Sequence, residues 1–175
     1  MLSEYERRRL SVVQNDLDMK AVVSSLGQNA IVDYYGYVLA LGSAANPLVK
    51  GVTQSGFIAI QSDAYFVLQY VSVGVNLADG SGFCNHVTWA TDVDLQITDT
   101  GSGHELFNSA VPAGLICGAP HNAGSGIPYL YSIPRIIPPN TNIKIDATQI
   151  GFTALTNPAP DRFWIILNGA KVSLF

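Results

Sequence analysis

Charged residues are scarce in this sequence. Asp, Glu, Lys and Arg make up 13% of the 175 residues, about half of the ~25% that soluble domains usually carry. Eight of the 22 charged residues precede position 21, so the remaining 155 residues share only 14. Such a surface makes a free monomer poorly soluble, and protein interfaces are depleted in the same residue types. We therefore expect other protein subunits to cover much of this surface.

The sequence also lacks the features of nucleic-acid-binding, membrane and secreted proteins. The formal net charge is -4, and no Lys/Arg cluster follows Arg9, which disfavours binding to nucleic acid. There is no run of about 18 apolar residues, and no apolar signal segment follows the basic residues near the N-terminus. We expect neither membrane insertion nor export. Two cysteines are too few for a disulfide framework, which favours folding in a reducing cytoplasm.

Catalytic and cofactor-binding signatures are missing as well. The chain has no G-x-S-x-G nucleophile elbow, no G-x-x-x-x-G-K-[ST] phosphate loop and no H-x-H metal motif of the cupin type. Four residues are of types that bind zinc: Cys84, His86, Cys117 and His121. Their short C-x-H spacing and the wide separation of the two pairs favour buried thiols and loop histidines instead. We predict no catalytic residues, no cofactor and no metal.

Several acidic residues lie between positions 92 and 105. Asp92, Asp94, Asp99 and Glu105 have the chemistry of a calcium site or of paired catalytic carboxylates. Asp92 and Asp94, however, alternate with apolar residues, as on the solvent side of a strand. Asp99 begins the sequence DTGSG, which is typical of a hairpin turn whose carboxylate caps its own backbone. We interpret these residues as structural, with a calcium-binding loop as the alternative.

Residues 1–27 are predicted to form an N-terminal arm, helical or extended. Ser3 and Glu6 have the spacing of a helix capping box, and Gly27 is suited to end a helix. The apolar residues of this segment form only a narrow stripe, which suits an arm or a lid better than a core helix. Arg7–Arg9 can form ion pairs with neighbouring glutamates on a solvated helix face. Docking onto an acidic patch of a partner subunit is the functional alternative.

Residues 28–175 are predicted to form an all-β domain. From Tyr34 onward apolar residues recur with a period of two, and Gly, Asn, Asp and Pro interrupt the pattern at short intervals. The strands are too close together for crossover helices, so the sheets must be mainly antiparallel. About eight or nine strands with long connections favour a jelly-roll-like antiparallel β-sandwich over an immunoglobulin-type one. The predicted strands are YGYVLALG, PLVKGVT, GFIAIQS, AYFVLQYVSVGVN, DVDLQITD, GHELFN, PYLYSI, NIKIDA and RFWIILNGAKV.

The strand patterns also predict which faces are buried. DVDLQITD and NIKIDA alternate apolar and polar residues, which is typical of a sheet with one wet face. AYFVLQYVSV and RFWIILNG are apolar on both faces. A two-sheet sandwich buries one face of each sheet, so the second face needs cover from the arm or from neighbouring subunits. Pro134, Pro138 and Pro139 are expected outside strand interiors, and GLICGAPHNAGSGIP is expected to be a long surface loop.

Residues from Phe57 to Val172 resemble a recurring pattern in virion proteins of tailed bacteriophages. The similar segments are FIAIQSDAYFVLQYVSV, DVDLQITDTGSGHELFNSAVPAGLICG, YLYSIPRIIPPNTNIKIDATQIG and DRFWIILNGAKV, within about two-thirds of the chain. The resemblance implies a head decoration or cement subunit, or another small head or neck component. It carries over no functional residues, and the segment 1–26 lies outside it.

The expected function is therefore that of a non-enzymatic virion structural protein, a capsid cement or decoration subunit of a tailed-phage head. Its expected partners are the major capsid protein or other virion subunits and further copies of itself, as a dimer or trimer, with assembly in the host bacterial cytoplasm. A receptor-binding or tail-associated adhesin that binds surface glycans is the alternative. A cupin-type metalloenzyme is a third, weaker one. The expected contact residues are Tyr5, Arg7, Arg8, Arg9, Leu10, Trp164, Ile166 and Phe175.

Overall fold

β-Strands dominate the fold. In a computed structural model of the chain, the described residues are 20–21, 24–25, 30–43, 46, 48–76, 83–84, 93–117, 130–150 and 162–174. Residues 20–21 and 24–25 are helical, and the Ser24 hydroxyl donates a 2.8 Å hydrogen bond to the Lys20 carbonyl. The rest of the predicted arm at 1–27 lies outside the described residues. In the described part of the chain, no helix combines the length and the hydropathy that a membrane span requires.

From residue 30 onward, the structure describes ten strands and one short helix. These elements are β1 (Ala30–Leu41), β2 (Thr53–Ala59), β3 (Ala64–Asn76), β4 (Phe83–Cys84), β5 (Val93–Asp99), β6 (His104–Glu105), β7 (Val111–Pro112), α1 (Ala113–Cys117), β8 (Leu130–Ile137), β9 (Asn142–Gln149) and β10 (Arg162–Leu174). All pairs between these strands are antiparallel, as expected.

The strands form two sheets with the connectivity of a jelly roll. In sheet A the order is β1-β10-β3, and both β4 and β8 pair with β3. In sheet B the order is β2-β9-β5, and both β6 and β7 pair with β5. Long strands that follow one another in the chain thus alternate between the two sheets, which is the arrangement of the double Greek key. The expected all-β, jelly-roll-like sandwich is confirmed.

The hydrophobic core lies between the two sheets. Alternate residues of β5 and β9 are buried and those between them are mostly half-buried, which confirms the one-wet-face pattern of both strands. Large side chains from both sheets meet in this core and are at most 1% exposed. They include Phe66, Leu68, Leu95, Ile97, Ile143, Ile145, Phe163, Ile165 and Leu167.

A β-bulge interrupts β3 in the middle of sheet A. Leu68 lies opposite Gly169 of β10, and Tyr70 lies opposite Asn168, so Gln69 has no partner residue in β10. The same residue is skipped in the pairing of β3 with β8. An extra residue shifts the alternation of side chains by one. As a result, core-facing side chains before and after the bulge are separated by an odd number of residues, whereas a regular strand requires an even number.

Three sequence expectations about local structure are wrong. PLVKGVT is not a strand, because Gly51 has φ of 75° and breaks the extended run, leaving only an isolated bridge at Lys50. Pro134 lies inside β8, but in the stretch where the β3 register is broken and no regular ladder donor is required. The predicted loop GLICGAPHNAGSGIP is wrong only in its first four residues, which lie in α1, where Ala113 and Ile116, one helical turn apart, are both buried. Its residues 118–128 lie outside the described residues.

Candidate interaction surface

The outer face of sheet B is mostly polar apart from Phe57, and several of its polar side chains are paired with one another. The Thr53 and Thr148 hydroxyls lie 2.7 Å apart across β2 and β9. The Ser55 hydroxyl donates a hydrogen bond to Asp146, which also forms an ion pair with Lys144 at 2.8 Å. These contacts satisfy the side chains without a partner molecule. The outer face of sheet B therefore has the character of a solvent-exposed surface.

The outer face of sheet A is apolar along most of its strands. The pairing register places many apolar and tyrosine residues on it, together with the polar Ser72 and Asn168. We call ten of these apolar and tyrosine residues the apolar face: Val32, Tyr34, Val38, Tyr65, Val67, Ile136, Trp164, Ile166, Ala170 and Val172.

Exposure is uneven across the apolar face. Val67, Ala170 and Val172 are fully buried, although they point away from the core between the sheets. The β1 side is open, with Tyr34 86% and Val38 54% exposed. This asymmetry between the two sheets, one wet and one apolar, is the main surface property of the described residues.

Two predicted contact residues lie on the apolar face. Trp164 and Ile166 are half-buried in β10, and Ile166 lies between Val38 of β1 and Ser72 of β3. The prediction that β10 is apolar on both faces is confirmed. The indole N–H of Trp164 is buried and has no hydrogen-bond partner within the described part of the chain. The other predicted contact residues, Tyr5, Arg7, Arg8, Arg9, Leu10 and Phe175, lie outside the described residues.

Sequence reasoning missed the contribution of β1 to this face. The strand begins at Ala30, before the predicted YGYVLALG, and it adds Val32 and Tyr34 to the exposed surface. The sequence did contain a signal for this strand. In AIVDYY, the residues on both faces of an extended strand are apolar or aromatic, except for Asp33. That two-sided pattern resembles those of β3 and β10, which sequence reasoning did recognise.

A pocket opens on the apolar face beside the β-bulge. Its volume is about 300 Å³, near the lower limit of small-molecule sites. The lining side chains are uncharged, and the Gln69 side chain is 8% exposed. Asn168 donates to the Ser72 hydroxyl at 2.8 Å and to the Ile166 carbonyl at 3.1 Å, so its amide nitrogen is already engaged. The lining residues are Tyr34, Tyr35, Gly36, Gln69, Tyr70, Asn168 and Gly169.

The described acidic residues of this region lie in a turn and on strands. Asp99 accepts hydrogen bonds from the Gly101 amide at 2.9 Å and the Ser102 hydroxyl at 2.7 Å, which confirms its predicted role in a hairpin turn. Asp94 lies on the outer side of β5, and Glu105 lies in β6 opposite Thr98. Asp92 is outside the described residues. No group of three metal-binding side chains occurs among the residues that the structure describes.

The zinc-type residues are described only in part. Cys84 lies in β4, opposite Val75 of β3, and Cys117 is the last residue of α1. His86 and His121 lie outside the described residues, so whether the four meet stays untested.

Comparison with known proteins gives no family. No protein-family model and no curated protein sequence matches the chain. The chain is similar to the VP2 subviral particle of infectious bursal disease virus, with 15% identity and a TM-score of 0.33 over 83% of this chain and 33% of that chain. It is also similar to the Gx strain of that virus, with 14% identity and a TM-score of 0.30 over 84% and 33%. The chain thus spans about a third of the length of these proteins. Such distant similarity assigns neither a family nor a function.

Proposed function

We propose that this chain is a non-enzymatic structural subunit of a virus particle, a cement or decoration protein that joins neighbouring subunits of a tailed-phage head. The observation that carries the proposal is the difference between the two outer faces of the sandwich. We infer the kind of particle, a tailed phage, from the resemblance of residues 57–172 to tailed-phage virion proteins. The partners are the major capsid protein or other virion subunits.

The apolar face has the physical properties of a protein contact. Burying one large apolar side chain contributes about 1.5–3 kcal/mol, and Tyr34, Val38, Val32 and Ile136 are all at least 39% exposed. The face has no charged member that would need desolvation without a partner. Sheet B, with paired polar groups, remains in solvent. If only sheet A contacts other subunits, the polar outer face of sheet B stays exposed to solvent.

A charge on the apolar face tests this proposal. We expect Ile136→Asp and Ile166→Asp to weaken binding to empty shells of the same virus roughly tenfold or more, because each buries an unpaired carboxylate in the contact. Binding is measured by co-sedimentation. Ile136 is 39% exposed, so its variant keeps the test valid if Ile166→Asp fails to fold.

The matched control is Phe57→Asp on the outer face of sheet B, where Phe57 is 60% exposed. It makes a similar change in charge and hydropathy, and we expect it to bind shells as the unmodified protein does. Equal weakening by the control, or no binding by the unmodified protein, contradicts the proposal.

The pocket beside the bulge favours a second candidate function, a tail-associated adhesin that binds surface glycans. Tyrosine rings stack on sugar rings, and a neutral amide such as that of Gln69 matches sugar hydroxyls. This function requires binding on a glycan array that Tyr34→Ala abolishes and Phe57→Ala preserves. Both side chains are largely exposed, so neither variant should unfold the domain. Copies found only at the tail of the particle would favour this candidate over the cement protein.

A further inference from the structure

The edges of the two sheets are protected unequally. β4, β6 and β7 are two residues long, and β7 ends in Pro112. β8 contains Pro134 and Arg135, and its pairing with β3 is irregular. β2 has seven residues, and its outward Thr53 and Ser55 are bonded to β9. Shortness, proline, charge and irregularity are the devices that keep edge strands from pairing with other chains.

β1 has few of these devices. It is 12 residues long and pairs with β10 along its whole length, and no strand of the described part of the chain pairs with its other side. It contains no proline, and its single charged residue is Asp33. Every second residue of an edge strand directs its N–H and C=O away from the sheet. The large exposed side chains of β1 are Ile31, Val32, Tyr34, Tyr35 and Val38.

We propose that β1 pairs antiparallel with β1 of a second copy of this chain, which joins the two A sheets into one continuous sheet. The pairing satisfies the outward backbone groups of both strands at once. It also places the two apolar faces side by side on one surface. The dimer rests on the free edge of β1 alone and requires no shell contact, so it is independent of the proposed function.

A two-fold register centred on Gly36 fits this pairing. Antiparallel partners must lie on the same face of the sheet, which requires the two residue numbers to sum to an even value. Centring on Gly36 places Tyr34 of each copy opposite Val38 of the other. Aromatic and β-branched residues form favourable cross-strand pairs. Tyr35 then lies opposite Tyr37 on the inner side.

The charge distribution permits a second copy as the occupant. In this register Asp33 lies opposite Leu39 of the other copy, so the two Asp33 carboxylates are roughly 20 Å apart at ~3.3 Å per residue. No like charges face each other across the edge. A second copy also supplies a strand of the same length that is apolar on the same two faces. Such self-complementary contacts are the basis of two-fold symmetric dimers.

The oligomeric state of the purified chain, without shells, tests the proposal. We expect a dimer in sedimentation equilibrium. Tyr34→Lys combined with Val38→Lys should raise the dimer dissociation constant roughly tenfold or more, because two favourable pairs are replaced by two like-charge pairs. Mixing this variant with Tyr34→Glu/Val38→Glu should restore dimers, since opposite charges then face each other. That restoration shows that positions 34 and 38 of the two copies face each other, as the edge pairing requires.

Two controls keep the outcome specific. Leu115→Lys replaces another exposed residue, 71% exposed in α1, and we expect it to leave the dimer unchanged. Amide hydrogen exchange should show that β1 is more protected at high protein concentration than at low. A monomeric unmodified chain, a dimer that withstands both lysines, or a dimer without added protection in β1 overturns the proposal. None of these outcomes affects the test with shells.

Discussion

Gly169→Ala is expected to destabilise the fold by about 4 kcal/mol or more, which is among the largest effects for a single substitution. A Cβ atom at position 169 would lie 2.0 Å from the Val67 carbonyl oxygen and 2.9 Å from the Val67 carbonyl carbon. Both atoms are backbone, so no side-chain rotation relieves the overlap. β10 and β3 would have to move apart at the bulge.

The functional consequence is a change in the apolar face. The bulge at Gln69 shifts the alternation of β3 by one residue, and Gly169 is the residue that allows the two strands to approach there. Residues on both sides of it, Val67 and Ile166, belong to the apolar face. A variant that folds at all should therefore also bind shells poorly.

Denaturant unfolding measures the effect of Gly169→Ala. The matched control is Gly103→Ala, where no atom lies within 4 Å of the new Cβ but φ is +69°. A left-handed backbone costs an alanine about 1–2 kcal/mol, so we expect the control to lose that amount. Similar losses in the two variants would mean that the strands tolerate the Cβ atom and that the bulge is not rigid.

Phe66→Ala is expected to cost about 3–5 kcal/mol, the usual range for removing a buried aromatic ring. Phe66 is 1% exposed and lies in the core between the sheets. Its ring meets that of Tyr37 edge to face, with centroids 4.9 Å apart. Removal loses this contact and leaves a cavity bordered by β1 and β3, so the edge strand should also loosen.

Phe57→Ala is the matched control for Phe66→Ala. The same side chain is removed where it is 60% exposed, on the outer face of sheet B. Exposed substitutions of this kind usually change stability by less than about 0.5 kcal/mol. Denaturant midpoints of the two variants give the comparison. A loss below about 1 kcal/mol for Phe66→Ala would place its ring outside the packed core.

Several strands were predictable because their signals are local. β3 was predicted at its observed bounds, Ala64–Asn76, and β10 was predicted two residues short of its observed end at Leu174. The one-sided alternation in β5 and β9 gave their buried residues correctly. Period-two alternation depends only on side chains two residues apart, so it can be read without knowing the neighbouring strands.

The same local reasoning failed where the structure depends on pairing. β8 continues through Pro134 to Ile137, beyond the predicted PYLYSI, because β3 offers an edge where an irregular ladder is tolerated. β2 begins at Thr53 and ends at Ala59, before the predicted end of GFIAIQS, because its partner β9 fixes its limits. Neither partner is visible from the segment itself.

The candidate site was predictable only in its β10 part. Trp164 and Ile166 were identified because RFWIILNG is apolar on both faces. The contribution of β1 was missed, since its importance follows from its place at the edge of sheet A. The predicted contacts in the arm and at Phe175 stay predictions.

The sequence by itself determined the class of the fold, the wet face of sheet B and the scarcity of charge on the body of the chain. These properties follow from composition and from the local alternation of side chains. Only the tertiary structure decided that β1 is an edge strand among the described strands of sheet A, that a bulge divides β3 and that the apolar face joins β1, β3, β8 and β10. The physical reason is that strand order and register depend on hydrogen bonds between segments far apart in the chain, such as residues 30–41 and 162–174.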